Sequence, residues 1–134
     1  MVLVLTLAFT GLWLLAESIK EGQEVDALDE PINVSLRIVK EKKWTMEHIG
    51  IKTLNNTVFK LLIEFKEKLD FSVTYTYWKG YDAMFVDSIN GTQNGENNMW
   101  WQFYVNGVYG EIASDKKEIF DDDIVEWRFE EPGQ

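Results

Sequence analysis

Residues 99–107 read Met-Trp-Trp-Gln-Phe-Tyr-Val-Asn-Gly, and the fold turns on how this stretch is read. Aromatic and β-branched side chains suit a pleated strand. Asn106-Gly107 is a hairpin signal, because both residues tolerate the positive φ angles of a tight type I′ turn. Alternation places Trp101, Phe103 and Val105 on one face and Trp100, Gln102, Tyr104 and Asn106 on the other. The first face predicts core. The second presents an indole and a phenol to another protein layer or to a ligand.

Working outward, Ile32 to Val39 alternates as a half-buried strand, and Trp44 to Lys52 is a weaker second strand. Asn56 or Thr57 is placed to cap a helix. Val58, Leu61, Leu62, Phe65 and Leu69 then form one continuous apolar face, with Lys60, Glu64 and Lys68 along the opposite side. Phe71 to Tyr77 and Met84 to Ile89 read as two more strands, the second ending at Asn90-Gly91. The polar stretch Thr92 to Asn98 predicts a mobile loop. Val108 to Ile112 returns from the hairpin, and Ile124 to Phe129 is the last strand.

Upstream of these elements, residues 1–16 carry no charged side chain. A bilayer span needs about 20 apolar residues, so this run suits a secretory signal or a short anchor. Residues 17–31 are acidic and unpatterned, a linker ended by Pro31. The expected location is extracellular or cell-surface, with membrane contact only through the N-terminal segment. In that setting Asn33, Asn55 and Asn90, each in an Asn-x-Ser/Thr pattern, are glycosylation candidates.

Composition removes several functions. The 134 residues hold 23 acidic and 13 basic side chains, a formal charge of −10, which argues against nucleic acid. Only Arg37 and Arg128 are arginine. With no cysteine and only one histidine, His48, thiolate chemistry, multi-histidine metal sites and Ser-His-Asp triads have no support. The run Asp121-Asp122-Asp123 lacks the spacing of a calcium loop and reads as a solvated turn. A non-enzymatic domain without a resident cofactor is the expectation.

Aromatic side chains with polar tips remain: Trp78, Tyr81, Trp100, Tyr104 and Tyr109, all near the central strand and its hairpin ends. Such residues serve surfaces that must be apolar yet wettable, as well as cores. Together with backbone groups of Asn106 and Gly107 they form the candidate ligand-binding set. The candidate partner is a small molecule or another surface protein, the latter reached through an exposed sheet edge.

The order of signals also resembles a known family. The helix Thr57–Leu69 is followed by the aromatic strand, Gly80, Phe85-Val86-Asp87-Ser88-Ile89-Asn90-Gly91, Trp101-Gln102-Phe103-Tyr104-Val105-Asn106-Gly107 and Asp121–Trp127. These are similar to the helix, "fV-x-sI-x-G", "W-x-x-y-V-N-G" and "dGD-x-v-x-W" signals of the family named for the C-terminal domain of transcobalamin and gastric intrinsic factor. Residues 32–130 would form that domain. Asp122 departs from the usual glycine, and Asp tolerates a left-handed turn. The resemblance implies an α+β fold: a single β-grasp-like domain with one amphipathic helix on a small mixed sheet with hairpins. It further implies an exported or surface-attached binding domain, with cobalamin or another corrinoid as the possible ligand.

Overall fold

The computed structural model describes residues 26–41 and 43–133. The apolar segment 1–16 and the first part of the acidic stretch lie outside them. Along the chain come β1 (Ile32–Lys40), β2 (Trp44–Thr53), α1 (Val58–Leu69), β3 (Val73–Trp78) and β4 (Ala83–Ile89). They are followed by β5 (Thr92–Gln93), a 3-10 turn at Glu96–Asn98, β6 (Trp100–Val105), β7 (Val108–Tyr109) and β8 (Ile124–Glu130).

β8 alternates Val125, Trp127 and Phe129 inward with Glu126, Arg128 and Glu130 outward. On one side it pairs in parallel with β1, matching Leu36 to Val125 and Ile38 to Trp127. On the other it pairs antiparallel with β6, matching Trp101 to Phe129, Phe103 to Trp127 and Val105 to Val125. Three strands thereby set one aromatic and aliphatic layer in register. Burial of each such side chain contributes about 1.5–3 kcal/mol. β2 and β7 complete a five-stranded sheet ordered β2-β1-β8-β6-β7.

Helix α1 starts where Thr57, in an extended conformation, accepts the Lys60 N–H on its hydroxyl. It ends at Asp70, which takes the left-handed cap conformation with φ 55°. Val58, Leu61, Leu62 and Phe65 are buried as the periodicity predicts. Phe65 meets His48 of β2 at 5.2 Å between centroids, and Phe59 meets Tyr75 of β3 edge-on at 5.0 Å. The helix therefore touches both layers of the fold.

The expected single β-grasp-like sheet is not what forms. Strands β3, β4 and β5 make a separate three-stranded sheet, and the architecture is a mostly β, sandwich-like arrangement with one helix. The cause lies in the stretch read as a mobile loop. Asn90-Gly91 makes a two-residue hairpin with φ of 50° and 80°, pairing Ile89 with Thr92 and Ser88 with Gln93. β5 thereby takes part of the β4 edge that would otherwise be open to the main sheet.

Asn94 then ties the two sheets without merging them. Its side-chain N–H donates to the Val86 carbonyl at 2.9 Å, and its Oδ1 accepts the Trp101 backbone N–H at 2.7 Å. Leaving buried backbone groups unpaired costs about 1–3 kcal/mol each. Asn94→Ala is expected to lower stability by about 2–4 kcal/mol on that scale, read as a lower urea midpoint; substitution of the exposed Gln93 side chain should leave the midpoint nearly unchanged.

A second bracket holds the helix to β2. The Glu64 carboxylate accepts from Thr53 Oγ1 at 2.5 Å, Asn55 Nδ2 at 2.6 Å and Lys68 Nζ at 2.7 Å. Partial burial pushes its pKa up, but the bonds from Lys68, Thr53 and Asn55 outweigh burial and hold it below the ordinary carboxylate value. A depressed folded-state pKa stabilises the fold above the unfolded pKa and loses that contribution as pH falls through the folded value. The stability advantage of the native chain over Glu64→Gln should thus be full at neutral pH. It should shrink below about pH 4, where the unfolded carboxylate protonates, in denaturation curves taken across that range.

Candidate functional site

Because the two sheets are tied but not merged, a cleft of about 400 Å³ opens between them. One wall is Met84, Phe85 and Val86 of β4; the other is Trp100 to Phe103 of β6 with Trp127 of β8. The segment Tyr109–Ser114 closes the third side. That segment is pinned at both ends, by Gly110 N–H donating to the Phe103 carbonyl at 2.9 Å and by Ser114 C=O accepting the Phe59 N–H at 3.0 Å. Helix α1 thus positions the cleft through its own first turn.

Gly110 passes so close to the Phe103 ring that a Cβ built there would lie within its van der Waals envelope. The need here is for space, not for an unusual φ. Phe103 in turn packs against Trp127 at 5.4 Å, and Trp101 packs on Phe129 at 5.1 Å and on Trp44 at 6.0 Å. Trp101 donates its indole N–H to the Thr92 carbonyl at 2.8 Å. Trp127 is 3% exposed, and its indole N–H has no acceptor among the described residues.

The seven candidate binding residues divide into three places. Trp100, 36% exposed, and Tyr109, 49% exposed, line the cleft mouth. Trp78 and Tyr81 lie beside it, in an exposed ring cluster with Phe85 in which Trp78 and Phe85 centroids stand 5.2 Å apart. Phe85 joins that cluster to the cleft wall. Tyr104, Asn106 and Gly107 lie elsewhere.

Tyr104 is 5% exposed on the outward face of the large sheet. The Arg128 guanidinium lies 3.8 Å from its ring centroid, and its hydroxyl donates to Glu130. Burial first, and then the bond to Glu130, push its pKa up. Arg128 also pairs with Glu126, which accepts from Arg37 at 2.7 Å, and Arg37 reaches Glu47 at 3.8 Å. Both arginines of the chain thus belong to one ladder across β2, β1, β8 and β6. A second hollow of about 480 Å³ at the strand ends is walled by this ladder's Arg128 and Glu130 with Glu41 and Glu131, so its cation is already engaged.

Asn106 and Gly107 take φ of 52° and 80°, as the hairpin requires. The Asn106 side chain donates to Asp123 at 2.8 Å and accepts the Ile124 N–H at 2.9 Å, while its backbone N–H donates to Ile124. It locks the hairpin to the start of β8. The aspartate run is engaged in the same way: Asp121 accepts the Asn33 N–H, Asp123 accepts the Phe120 N–H, and Asp122 sits at φ 68°. Among the described residues no group of three His, Asp or Glu is arranged to hold a metal. Of the sequons, Asn33 and Asn90 are exposed, whereas Asn55 is hydrogen-bonded to Glu64 and its partner Thr57 is buried as the helix cap.

Phe85, Phe103, Gly110 and Trp127 complete the cleft and were not among the sequence candidates. Phe103 and Trp127 were legible as inward-facing but not as cleft-lining, since alternation separates faces and not layers. No sequence signal marks Gly110, whose role depends on a ring brought near it by the sheet.

Residues 55–131, more than half of the chain, match the family model described as a domain of unknown function, DUF4430. The chain belongs to the DUF4430 family. The matched segment starts after β2, although β1 pairs directly with β8 inside it. No protein of curated function matches significantly. Among solved structures, a candidate metal-binding protein from Ruminococcus gnavus is similar, with TM-score 0.61 and 15% identity over 75% of this chain and 97% of that one. Haptocorrin in complex with Cbi is similar, with TM-score 0.63 and 16% identity over 80% of this chain and 27% of that one. The DUF4430 chain thus spans about a quarter of haptocorrin. These likenesses are likenesses of fold, and the resemblance to the transcobalamin type is carried at that level.

Substituting Gly110 by alanine forces Phe103 or the closing segment to move. Gly110→Ala is expected to cost about 1–3 kcal/mol, as overpacking does, in urea denaturation, with a change in the near-ultraviolet signal of the Phe103–Trp127 neighbourhood.

Proposed function

We propose that this protein is a non-enzymatic, small-molecule-binding domain, exported or held at the cell surface, whose ligand enters the cleft between its two sheets. The observation that carries the reading is the cleft itself: preformed, lined by aromatic and aliphatic side chains, with both ends of its closing segment hydrogen-bonded in place. Its volume of about 400 Å³ lies within the range of ligand sites, about 300–1,000 Å³. Trp100 and Tyr109 at the mouth, with Trp78, Tyr81 and Phe85 beside it, offer ring faces to a ligand larger than the cleft. A corrinoid is the specific candidate, supported by the shared fold with haptocorrin. It would seat one edge in the cleft and rest on the neighbouring rings. Placement outside the cell rests on the uncharged run of residues 1–16.

Calorimetric titration of the full chain with hydroxocobalamin and with cobinamide tests this. The expected result is saturable 1:1 heat, weakened about tenfold or more by Trp100→Ala or Tyr109→Ala, the scale of an aromatic anchor. Tyr104→Phe, whose ring is covered by Arg128 and does not line the cleft, should leave binding intact. Absence of heat with either corrinoid at high micromolar concentration overturns the corrinoid assignment.

One observation favours a second reading, assembly with another surface protein. β3 is an edge strand whose Tyr75, Tyr77 and Trp78 are exposed. Edge strands with exposed apolar residues are templates for pairing with another chain. Concentration-dependent association, abolished by Thr76→Lys, would support it.

A further inference from the structure

We infer that the cleft takes an organic cation, an apolar body bearing one positive charge, and that the charge rests at the mouth among the Glu111 carboxylate and the rings of Trp100 and Tyr109. The inference rests on the cleft being the ligand site and adds the charge class of the ligand.

The lining holds a single charged side chain, Glu111; every other polar group in it, from Asn94 and Gln102 to the Ser114 hydroxyl, is neutral. Glu111 is exposed and has no ion pair among the described residues. The cations that come near the cleft in the fold are already engaged. Lys116, two residues past Ser114, pairs with Asp82 at 3.8 Å and Asp115 at 3.7 Å. Arg128, paired across the strands with Gln102, is held by Glu126 and lies over Tyr104. An anion entering the cleft therefore finds no lysine or arginine in its walls and meets a chain of charge −10. A cation meets a carboxylate without a partner.

The rings favour the same sign of charge. Tyr109 and Glu111 flank Gly110, whose N–H is fixed to the Phe103 carbonyl, and Trp100 joins them from β6. All three side chains line the cleft and reach solvent. Ring faces attract a cation within about 6 Å of their centroids, and this chain already lays one on a tyrosine, Arg128 over Tyr104 at 3.8 Å. The rest of the lining, with Met84, Val86, Phe103 and Ala113, offers apolar surface to the body of the ligand.

Three compounds that share one ring system and differ in charge test the inference: 2-naphthylmethylammonium, 2-naphthylmethanol and 2-naphthoate. Each is titrated at neutral pH into the ¹⁵N-labelled full chain while the Trp100 indole N–H resonance, identified by its loss in Trp100→Phe, is followed. The expected order is cation, alcohol, anion, with the cation about tenfold tighter than the alcohol, the scale of one carboxylate and one ring face at a wet site. In Glu111→Gln that advantage should fall to about twofold or less. If the alcohol binds as tightly as the cation, or if Glu111→Gln keeps the full advantage, the charge inference is overturned and the cleft reading stands. If none of the three moves the Trp100 resonance, both are overturned.

Discussion

The pairing of β8 with β1 on one side and β6 on the other is the constraint on which the remaining structure depends. β8 is the central strand of the larger sheet, and its inward row Val125, Trp127, Phe129 is matched at every position by Val105, Phe103 and Trp101 of β6 and at the first two by Leu36 and Ile38 of β1. A one-residue slip would turn Trp127 outward and Arg128 inward, exchanging an aromatic layer for a buried cation. The register is therefore held by two faces at once. On the outer face, Glu126 accepts from Arg37 of β1, directly opposite it in this alignment, and from Arg128 two residues along its own strand. Exposed ion pairs contribute about 0–1 kcal/mol apiece. Their weight here is in specifying the alignment, while the stability comes from the rings beneath.

The cleft follows from that alignment and from one departure from it. Had β4 continued the main sheet beside β6, the ring faces of Trp101 and Phe103 would meet a closed layer. The Asn90-Gly91 hairpin instead turns the chain back on β4, and Asn94 spaces the strands by one side chain instead of a backbone ladder. The segment Gly110–Ser114 closes the remaining side, and only a residue without a Cβ passes over Phe103. The cleft is thus a by-product of how two sheets fail to merge, with its closing segment held by bonds that belong to the scaffold.

Much of this was legible in local pattern. The alternation in residues 99–107 placed Trp101, Phe103 and Val105 inward, where they are buried, and Asn106-Gly107 turned as a hairpin. The helix face and its Thr57 cap were readable for the same reason: 3.6-residue periodicity and capping chemistry are local. Asp122, standing where the resembling family has glycine, does adopt the left-handed conformation. What failed was the assembly of strands into one sheet. Which strand edges meet depends on contacts far apart in sequence, and a two-residue strand such as β5 leaves almost no periodic trace. Tyr104 shows a related limit. Its parity placed it correctly on the outer face, but parity carries no information about Arg128 lying over its ring.

The aromatic richness of the chain accordingly divides by neighbours and not by residue type. Tyr104 and Tyr109 are the same residue five positions apart, with ring centroids 5.8 Å from each other. Tyr104 has its hydroxyl bound to Glu130 and its face covered by a guanidinium, so it has nothing left to offer. Tyr109, past the turn and before Gly110, stands at the cleft mouth with half its surface in water. Trp101 and Trp127 also differ by neighbours: both are buried inward-facing indoles of adjacent strands, but the β5 hairpin supplies the Thr92 carbonyl to the first, and the second has no acceptor among the described residues. The hairpin that keeps the two sheets apart thus also decides which of the two indoles is paired.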